Sequence, residues 1–358
     1  MAIQEYKCPC CGGGVQFNTQ VQKMKCPYCD TEFEMDALKQ YDADLQTDGN
    51  NDMDWDKQEN EWEPGETDGM RVYHCESCGG EIIGDETMAA TKCPYCDNPV
   101  VMMGQFKGDL RPDYIIPFKL DKEAAVKGLK EHLVGKKFLP KVFKTQNHLD
   151  EVKGVYVPFW LFDSDAEGGM RYKASLVRSW HEGNYRITET SYFSVYREGK
   201  IAFDKVAIDG SSQMPDDLME SVNPFDFKDA VDFQTAYLSG FLADKYDVTS
   251  DNTIERANER VRNSIDSTFR KTVEGYTSVV TEGHNIRLHN AKAKYALYPV
   301  WVLTTSWNNE NYIFAMNGQT GKFVGNLPCD KGLYWKAFAK VAAIAAAVIY
   351  GVAWLILR

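Results

Sequence analysis

Apolar positions fall into three regimes along the chain. Between residues 111 and 330 they switch between a period near 3.6 and a period of 2, which predicts mixed helices and strands. Asp121 to Lys137 predicts a helix, with Asp121 as its cap and Ala125, Val126, Leu129 and Leu133 along one face. A second helix is expected from about Asn252 to Lys271. Asn252 and Glu255 make a start like a capping box, and Ile254, Ala257, Val261, Ile265 and Phe269 form the apolar stripe. Strands are expected over Gly154 to Phe162, over Tyr192 to Tyr196 before a turn at Glu198-Gly199, and over Ala296 to Leu303. Tyr312 to Met316, the turn Asn317 to Lys322 and Phe323 to Gly325 read as a hairpin. Val157-Pro158-Phe159-Trp160-Leu161 is similar to Tyr298-Pro299-Val300-Trp301-Val302, which suggests an internal repeat with each proline at an edge or strand start.

The second regime is the C-terminus. Val341 to Leu357 is an unbroken apolar run, and it lengthens further if it is opened at Ala337 across Lys340. At 1.5 Å per residue the longer version is about 31 Å, close to a bilayer's hydrocarbon core. Trp335 and Trp354 sit near its ends. Lys322, Lys331, Lys336 and Lys340 precede it, with Arg358 alone after it, so the residues before the span are expected on the cytoplasmic side.

The third regime has little apolar periodicity and is set by cysteine. Cys8, Cys11, Cys26 and Cys29 recur as Cys75, Cys78, Cys93 and Cys96, all shifted by the same offset. Gly12-Gly13 recurs as Gly79-Gly80, and Lys25-Cys26-Pro27-Tyr28-Cys29-Asp30 as Lys92-Cys93-Pro94-Tyr95-Cys96-Asp97, so the unit is duplicated. Each unit has the pattern Cys-x2-Cys-x14-Cys-x2-Cys and presents four soft ligands, the full set a tetrahedral zinc ion takes. A unit this small builds too little core alone, so the metal supplies folding energy. Four protein ligands leave no open position, which predicts structural and not catalytic zinc. Disulfides or free thiols are the competing reading. They fit a chain whose Met1-Ala2-Ile3 start carries no secretory leader less well. Cys10, His74 and Cys329 are read as bystanders, with lipidation the weaker alternative for Cys329.

The chain therefore reads as multidomain: a zinc ribbon over 1–36, an acidic disordered linker over 37–70, and a second ribbon over 71–107. An α+β platform domain with an antiparallel sheet follows over 108–332, then a transmembrane helix over 336–358. Between Tyr41 and Met70 stand eleven acidic residues and one basic, which accounts for most of the net charge of −12. Trp55 and Trp62 interrupt that polar stretch, as a partner-docking motif or as incidental residues.

Charge and motif content narrow the function. Each ribbon has three basic and five acidic side chains, and four thiolates on Zn(II) add negative charge, so nucleic-acid binding is disfavoured. No phosphate-binding Gly-x4-Gly-Lys-Ser/Thr, no Gly-x-Ser-x-Gly and no His-Glu-x2-His occurs, and no enzyme is expected. His284 and His289, and Asp163 and Asp165 after a strand, read as solvated residues.

The ribbon pair, Ile116-Pro117-Phe118, Gly135-Lys136-Lys137-Phe138-Leu139-Pro140-Lys141 and Val155-Tyr156-Val157-Pro158-Phe159-Trp160 together resemble the YdjG-type, TFIIB-type zinc-ribbon membrane proteins of bacteria. The similarity covers most of the chain. Members often carry a primosomal helicase-like label, which the missing ATP site does not support. The resemblance implies an association with phage-shock-protein A and flotillin-like (SPFH) proteins, placed at the membrane under envelope stress. Only the eight zinc cysteines carry over residue by residue. The expected function is a membrane-anchored, single-pass adaptor with cytoplasmic N-terminal domains and two zinc ions. A membrane-tethered nucleic-acid-binding zinc protein and an enzyme with an unrecognised site in 111–330 are the alternatives.

Overall fold

The computed structural model describes residues 6–39, 41, 52–57, 60–85, 92–105, 110–144, 151–308 and 310–356. The chain divides into two units: Met1–Lys57 with Phe162–Val206 and Thr253–Ala293, and Gln58–Leu161 with Ala207–Asn252 and Lys294–Arg358. The strands in chain order are β1 (Gln16–Asn18), β2 (Lys23–Lys25), β3 (Glu32–Phe33), β4 (Asp56–Lys57), β5 (Met70–His74), β6 (Glu81–Asp85), β7 (Val101–Gln105) and β8 (Tyr114–Ile115). They continue as β9 (Lys153–Glu182), β10 (Tyr185–Asp209), β11 (Val231–Asp232), β12 (Leu242–Asp244), β13 (Ser278–Trp307), β14 (Glu310–Asn317) and β15 (Phe323–Gly325). The main helices are α1 (Lys122–Leu133), α2 (Asp216–Val222), α3 (Ser250–Arg270) and α4 (Lys331–Ile356).

In the first unit β1, β2 and β3 form a small antiparallel sheet of their own. Residues 35–39 continue as helix and bury Leu38, so this ribbon runs past the expected boundary at 36. The rest of the unit is built on the distal parts of the long strands and on α3. Ala257, Val261, Ile265 and Phe269 are buried at four-residue spacing, as expected. The helix begins two residues before Asn252, so Asn252 is not its cap; Thr253 is buried where Ile254 was expected to be. No turn interrupts β10 at Glu198-Gly199, because the ladder continues to Asp209.

The stretch 37–70 is not a disordered linker where it is described; residues 40, 42–51 and 58–59 lie outside the described residues. β4 adds to β13 in parallel, pairing Asp56 with Lys292 and Lys57 with Ala293. Trp55 is buried, donates its indole N–H to Asn258 Oδ1 at 2.8 Å, and stands edge-on to Phe162 at 4.9 Å. In the second unit Trp62 meets Phe233 edge-on, and Glu66 pairs with Arg111 at 2.9 Å. High acidity misleads here because it averages over two tryptophans whose rings pack against Phe162 and Phe233.

The sheet of the second unit runs β11-β8-β13-β9-β12-β6-β5-β7, with β14 and β15 added beyond β13. It is mixed and not antiparallel as expected: β12 runs parallel to β9, and β8 parallel to β13. The second ribbon is not a separate body either. Its strands β5, β6 and β7 enter this sheet through the pairing of Ala243 with Ile83. Val155 to Phe162 is buried at every position, which is why it reads as a continuous apolar run instead of alternating. α1 covers one face with Ala125, Leu129 and Leu133 over Trp301, Leu303 and Phe314. Asp121 caps it, accepting from the Ala124 N–H at 2.8 Å. The β14–β15 hairpin forms as expected, with Ala315 opposite Val324.

The similarity of the two Pro-x-Trp segments extends to their contacts. The Pro158 carbonyl accepts from Gly210 N at 2.9 Å, and that of Pro299 from Gly318 N at 2.8 Å. Trp160 donates to the Val248 carbonyl at 2.8 Å, and Trp301 to that of Leu120 at 2.9 Å. Both prolines sit inside long strands and not at strand starts, and each uses only its carbonyl for the neighbouring glycine. Each half runs short strand, helix, long strand, but the short strand pairs with the other half's long strand. The halves are interlocked, and β9 and β13 both contribute to one core cluster.

Asp244, on β12, is 1% exposed. Burial pushes its carboxyl up to about 7; Asp247 and Asp209 add to the rise, and Ser211 and Tyr95 oppose it. A carboxyl raised above its unfolded value holds a proton that the unfolded chain releases. Its contribution to stability is therefore full below about pH 4 and lost as pH rises through about 7. Asp244→Asn should flatten the stability profile between those values and raise the melting temperature at pH 8, with an effect on the order of 4 kcal/mol. Denaturant melts across that pH range check it; identical slopes for variant and parent would refute the assignment.

Candidate metal centres

Two groups of cysteines could each hold a metal ion: Cys8, Cys11, Cys26 and Cys29, and Cys75, Cys78, Cys93 and Cys96, with the sulfurs of each group within 4.8 Å of one another. Each group is assembled by two backbone turns of the same design. In the first turn of each ribbon, the cysteine N–H reaches the carbonyl five residues on (Cys8 to Gly13, Cys75 to Gly80). Gly12 and Gly79 close it by donating back, at φ +77° and +79°, where a side chain would be strained. In the second turn Cys26 N reaches the Thr31 carbonyl and Cys93 N that of Asn98. Asp30 and Asp97 take the left-handed conformation that aspartate tolerates better than most residues.

The Sγ–Sγ separations are 3.6 Å for Cys8–Cys29, 3.5 Å for Cys11–Cys26, 3.4 Å for Cys75–Cys96 and 3.7 Å for Cys78–Cys93. Four sulfurs about 2.3 Å from one ion stand about 3.8 Å apart, so both donor sets fit a tetrahedral ion of zinc's size. None of the ten cysteines is in a disulfide. Backbone N–H groups point at sulfur, from Cys10 to Cys8 and from Tyr95 to Cys93, both at 3.4 Å, which favours thiolate. Burial pushes the thiols of Cys8 and Cys93 up and that of Cys78 to about 11, so a cation must offset the cost of ionising them. Cys29 is held at about 6, chiefly by the hydrogen bond from the Thr31 hydroxyl at 3.2 Å.

The structure gathers the eight cysteines that the sequence pattern singles out, on supports that the pattern alone does not show. Lys25 pairs with Asp30 and Lys92 with Asp97, each at 3.1 Å, so the same ion pair clips both second knuckles. The signal was the repeated Lys-Cys-Pro-Tyr-Cys-Asp itself. The two centres differ in their surroundings. In the first unit Cys11 and Cys29 are exposed, and Lys173 holds the knuckle through the Cys10 carbonyl at 2.8 Å. In the second unit Cys75 and Cys93 lie in the same core cluster as Val155, Val157 and Leu161. Thr304 donates to the Pro94 carbonyl and Lys153 to that of Lys92.

The other residues considered for chemistry do not join either centre. Asp163 accepts from Lys205 N at 2.6 Å, and Asp165 accepts from Asn290 at 3.0 Å; both tie strands together. His289 faces Glu167 at 3.5 Å, and burial lowers His284. Cys10 is half-buried and Cys329 exposed, both outside the two groups.

At the C-terminus, α4 contains a 24-residue stretch, Lys331–Trp354, long and apolar enough to cross a membrane. At 1.5 Å per residue it spans about 36 Å. None of its apolar window is buried among the described residues. Asp330 caps its start by accepting from Gly332 and Leu333, and Phe138 packs against Tyr334 at 5.5 Å.

No protein-family profile matches the sequence, and no solved structure matches it. The uncharacterized protein YdjG of Bacillus subtilis (strain 168) is 31% identical over 340 residues, which cover 95% of this chain and 94% of that one. Cysteine centres, interlocked sheet and apolar helix all lie within a chain matched along nearly its whole length, and the protein belongs to the YdjG family.

Proposed function

We propose that this protein is a single-pass membrane adaptor that binds two structural zinc ions and uses its ribbons to hold protein partners at the cytoplasmic face. The observation that carries the reading is the helix Lys331–Trp354, whose apolar side chains have no protein cover among the described residues. Val341, Ile344, Val348 and Ile349 are all more than half exposed, which in water would be costly and in lipid is favourable. The lysine excess before the helix favours the cytoplasmic orientation, which also keeps zinc thiolates reduced. All-thiolate centres suit zinc, and four ligands each leave it no catalytic position. The net acidic ribbons favour protein over polyanion partners. The family resemblance points to phage-shock-protein A-like or SPFH/flotillin-like partners.

The test is the location of such a partner, fluorescently tagged, in cells carrying the parent chain or Cys26→Ser. The parent should hold the partner at the membrane. The variant should itself stay in the membrane fraction and release the partner to the cytosol. A partner equally placed by both chains would remove the first ribbon from recruitment.

A further inference from the structure

The first unit contains a cavity of about 380 Å³, within the range of small-molecule sites. It lies beside the first cysteine centre, with Cys10 on one side and the strand β10 on another. Tyr192, Phe193 and Tyr196 line it and are each 40% exposed or more, although residues of this size normally bury their rings. Tyr41 adds another ring.

The charges around these rings are unequal. Arg171 is 2% exposed, lies over the Tyr41 ring at 5.1 Å and has Nε 4.0 Å from Glu282, so it offsets the carboxylate that lines the cavity among the described residues. Lys173 also lines it. Its ammonium lies over the Tyr192 ring at 5.4 Å and donates to the Cys10 carbonyl, and among the described residues it pairs with no carboxylate. An ammonium carries three donors, so this one keeps capacity for an anion. With Arg171 set against Glu282, Lys173 is the lining cation left to meet an anion among the described residues, beside flat apolar walls.

We propose that this cavity binds an aromatic carboxylate, with the ring among Tyr41, Tyr192, Phe193 and Tyr196 and the carboxylate accepting from Lys173 Nζ. A free aromatic acid and the C-terminal aromatic residue of a peptide carry the same chemistry. Bound ligand would touch the first ribbon at Cys10, independently of whether the ribbon recruits a partner.

The test is calorimetric titration of the full chain in phosphatidylcholine nanodiscs, with empty nanodiscs subtracted. Four probes separate ring, charge and source: indole-3-acetate, neutral tryptophol, cationic tryptamine and N-acetyl-Gly-Gly-Trp. Indole-3-acetate should saturate at one per chain and bind more tightly than tryptophol, with tryptamine weakest. Lys173→Met should weaken the acid by about tenfold, the worth of one charge-assisted hydrogen bond, and leave tryptophol unchanged. Lys173→Arg should stay within about threefold of the parent, and Ala37→Trp, which fills the cavity from its wall, should block every probe. Unchanged melting curves for Lys173→Arg and Ala37→Trp keep the result readable if Lys173→Met fails to fold. Tighter binding of the peptide than of indole-3-acetate assigns the site to a chain terminus, and the reverse to a free acid. Absence of saturable binding, tryptamine binding as tightly as the acid, or indifference to Ala37→Trp would overturn the proposal.

Discussion

Cys93→Ser should lower bound metal from two ions to about one per chain and destabilise the whole second unit, whereas Cys26→Ser should lose the other ion and leave that unit's melting in place. The two cysteines are equivalent by repeat and unequal by packing. Cys26 closes a centre served by β1, β2 and β3, a sheet with no strand in common with the larger one. Cys93 is 1% exposed and shares a core cluster with Cys75, Ile82, Val157 and Leu242. Its ribbon continues into the central strands through β6 and β12. A structural zinc site in a small ribbon is worth on the order of 10–16 kcal/mol of coupled binding and folding. Losing a large part of that beside the central strands is comparable to the whole stability of an ordinary domain, about 5–15 kcal/mol. Elemental analysis gives the ratio. Hydrogen exchange at β9 and β12 gives the extent of unfolding, and retained protection there in Cys93→Ser would show that the second ribbon melts alone.

The asymmetry is a measure of what the sequence could and could not disclose. The two clusters of four cysteines were legible because such a cluster is written locally, as Cys-x2-Cys on a tight turn, and duplication displayed it twice. Asp121 and the stripes of α1 and α3 were legible for the same reason: caps and helical faces are neighbours in sequence. The swapped pairing of β8 with β13 and of β12 with β9 was not. It joins segments far apart in the chain, Tyr114 to Ala296 for β8, and a two-residue strand such as β8 carries no period to read.

Average composition hides what individual side chains do ahead of Met70. The stretch ahead of Met70 is acidic enough to look disordered, yet Trp55 sits in the core with its N–H satisfied by Asn258, and Glu66 is held low chiefly by the hydrogen bond from Arg111. One buried indole and one fixed ion pair hold the described parts of a segment whose average charge argues otherwise. Pro158 and Pro299 misled similarly. A proline inside a strand is costly only where its missing N–H is needed, and Gly210 and Gly318 ask for its carbonyl alone.

Removing residues 331–358 should convert the protein from one that resists extraction by high salt and alkaline washing into a soluble, folded, metal-bearing chain. A span of this length satisfies its own backbone hydrogen bonds in lipid, and its apolar side chains gain from leaving water, so charge screening should not release it. Little of the fold depends on the helix. Its apolar window is not buried among the described residues, and at its start Asp330 N donates to the Phe138 carbonyl at 2.8 Å and Tyr334 meets Phe138. The core clusters draw on strands, α1 and α2 instead. The truncated chain should therefore keep two metal ions and a melting transition close to that of the parent. Under the adaptor reading it should also still bind its partner and carry it into the cytosol. Fractionation of cells with salt and carbonate washes, alongside metal analysis of the soluble form, separates the outcomes. A truncated chain that stays with the membrane would place a second attachment in the remaining residues, and a partner that stays there without it would mean that this protein does not set the partner's location.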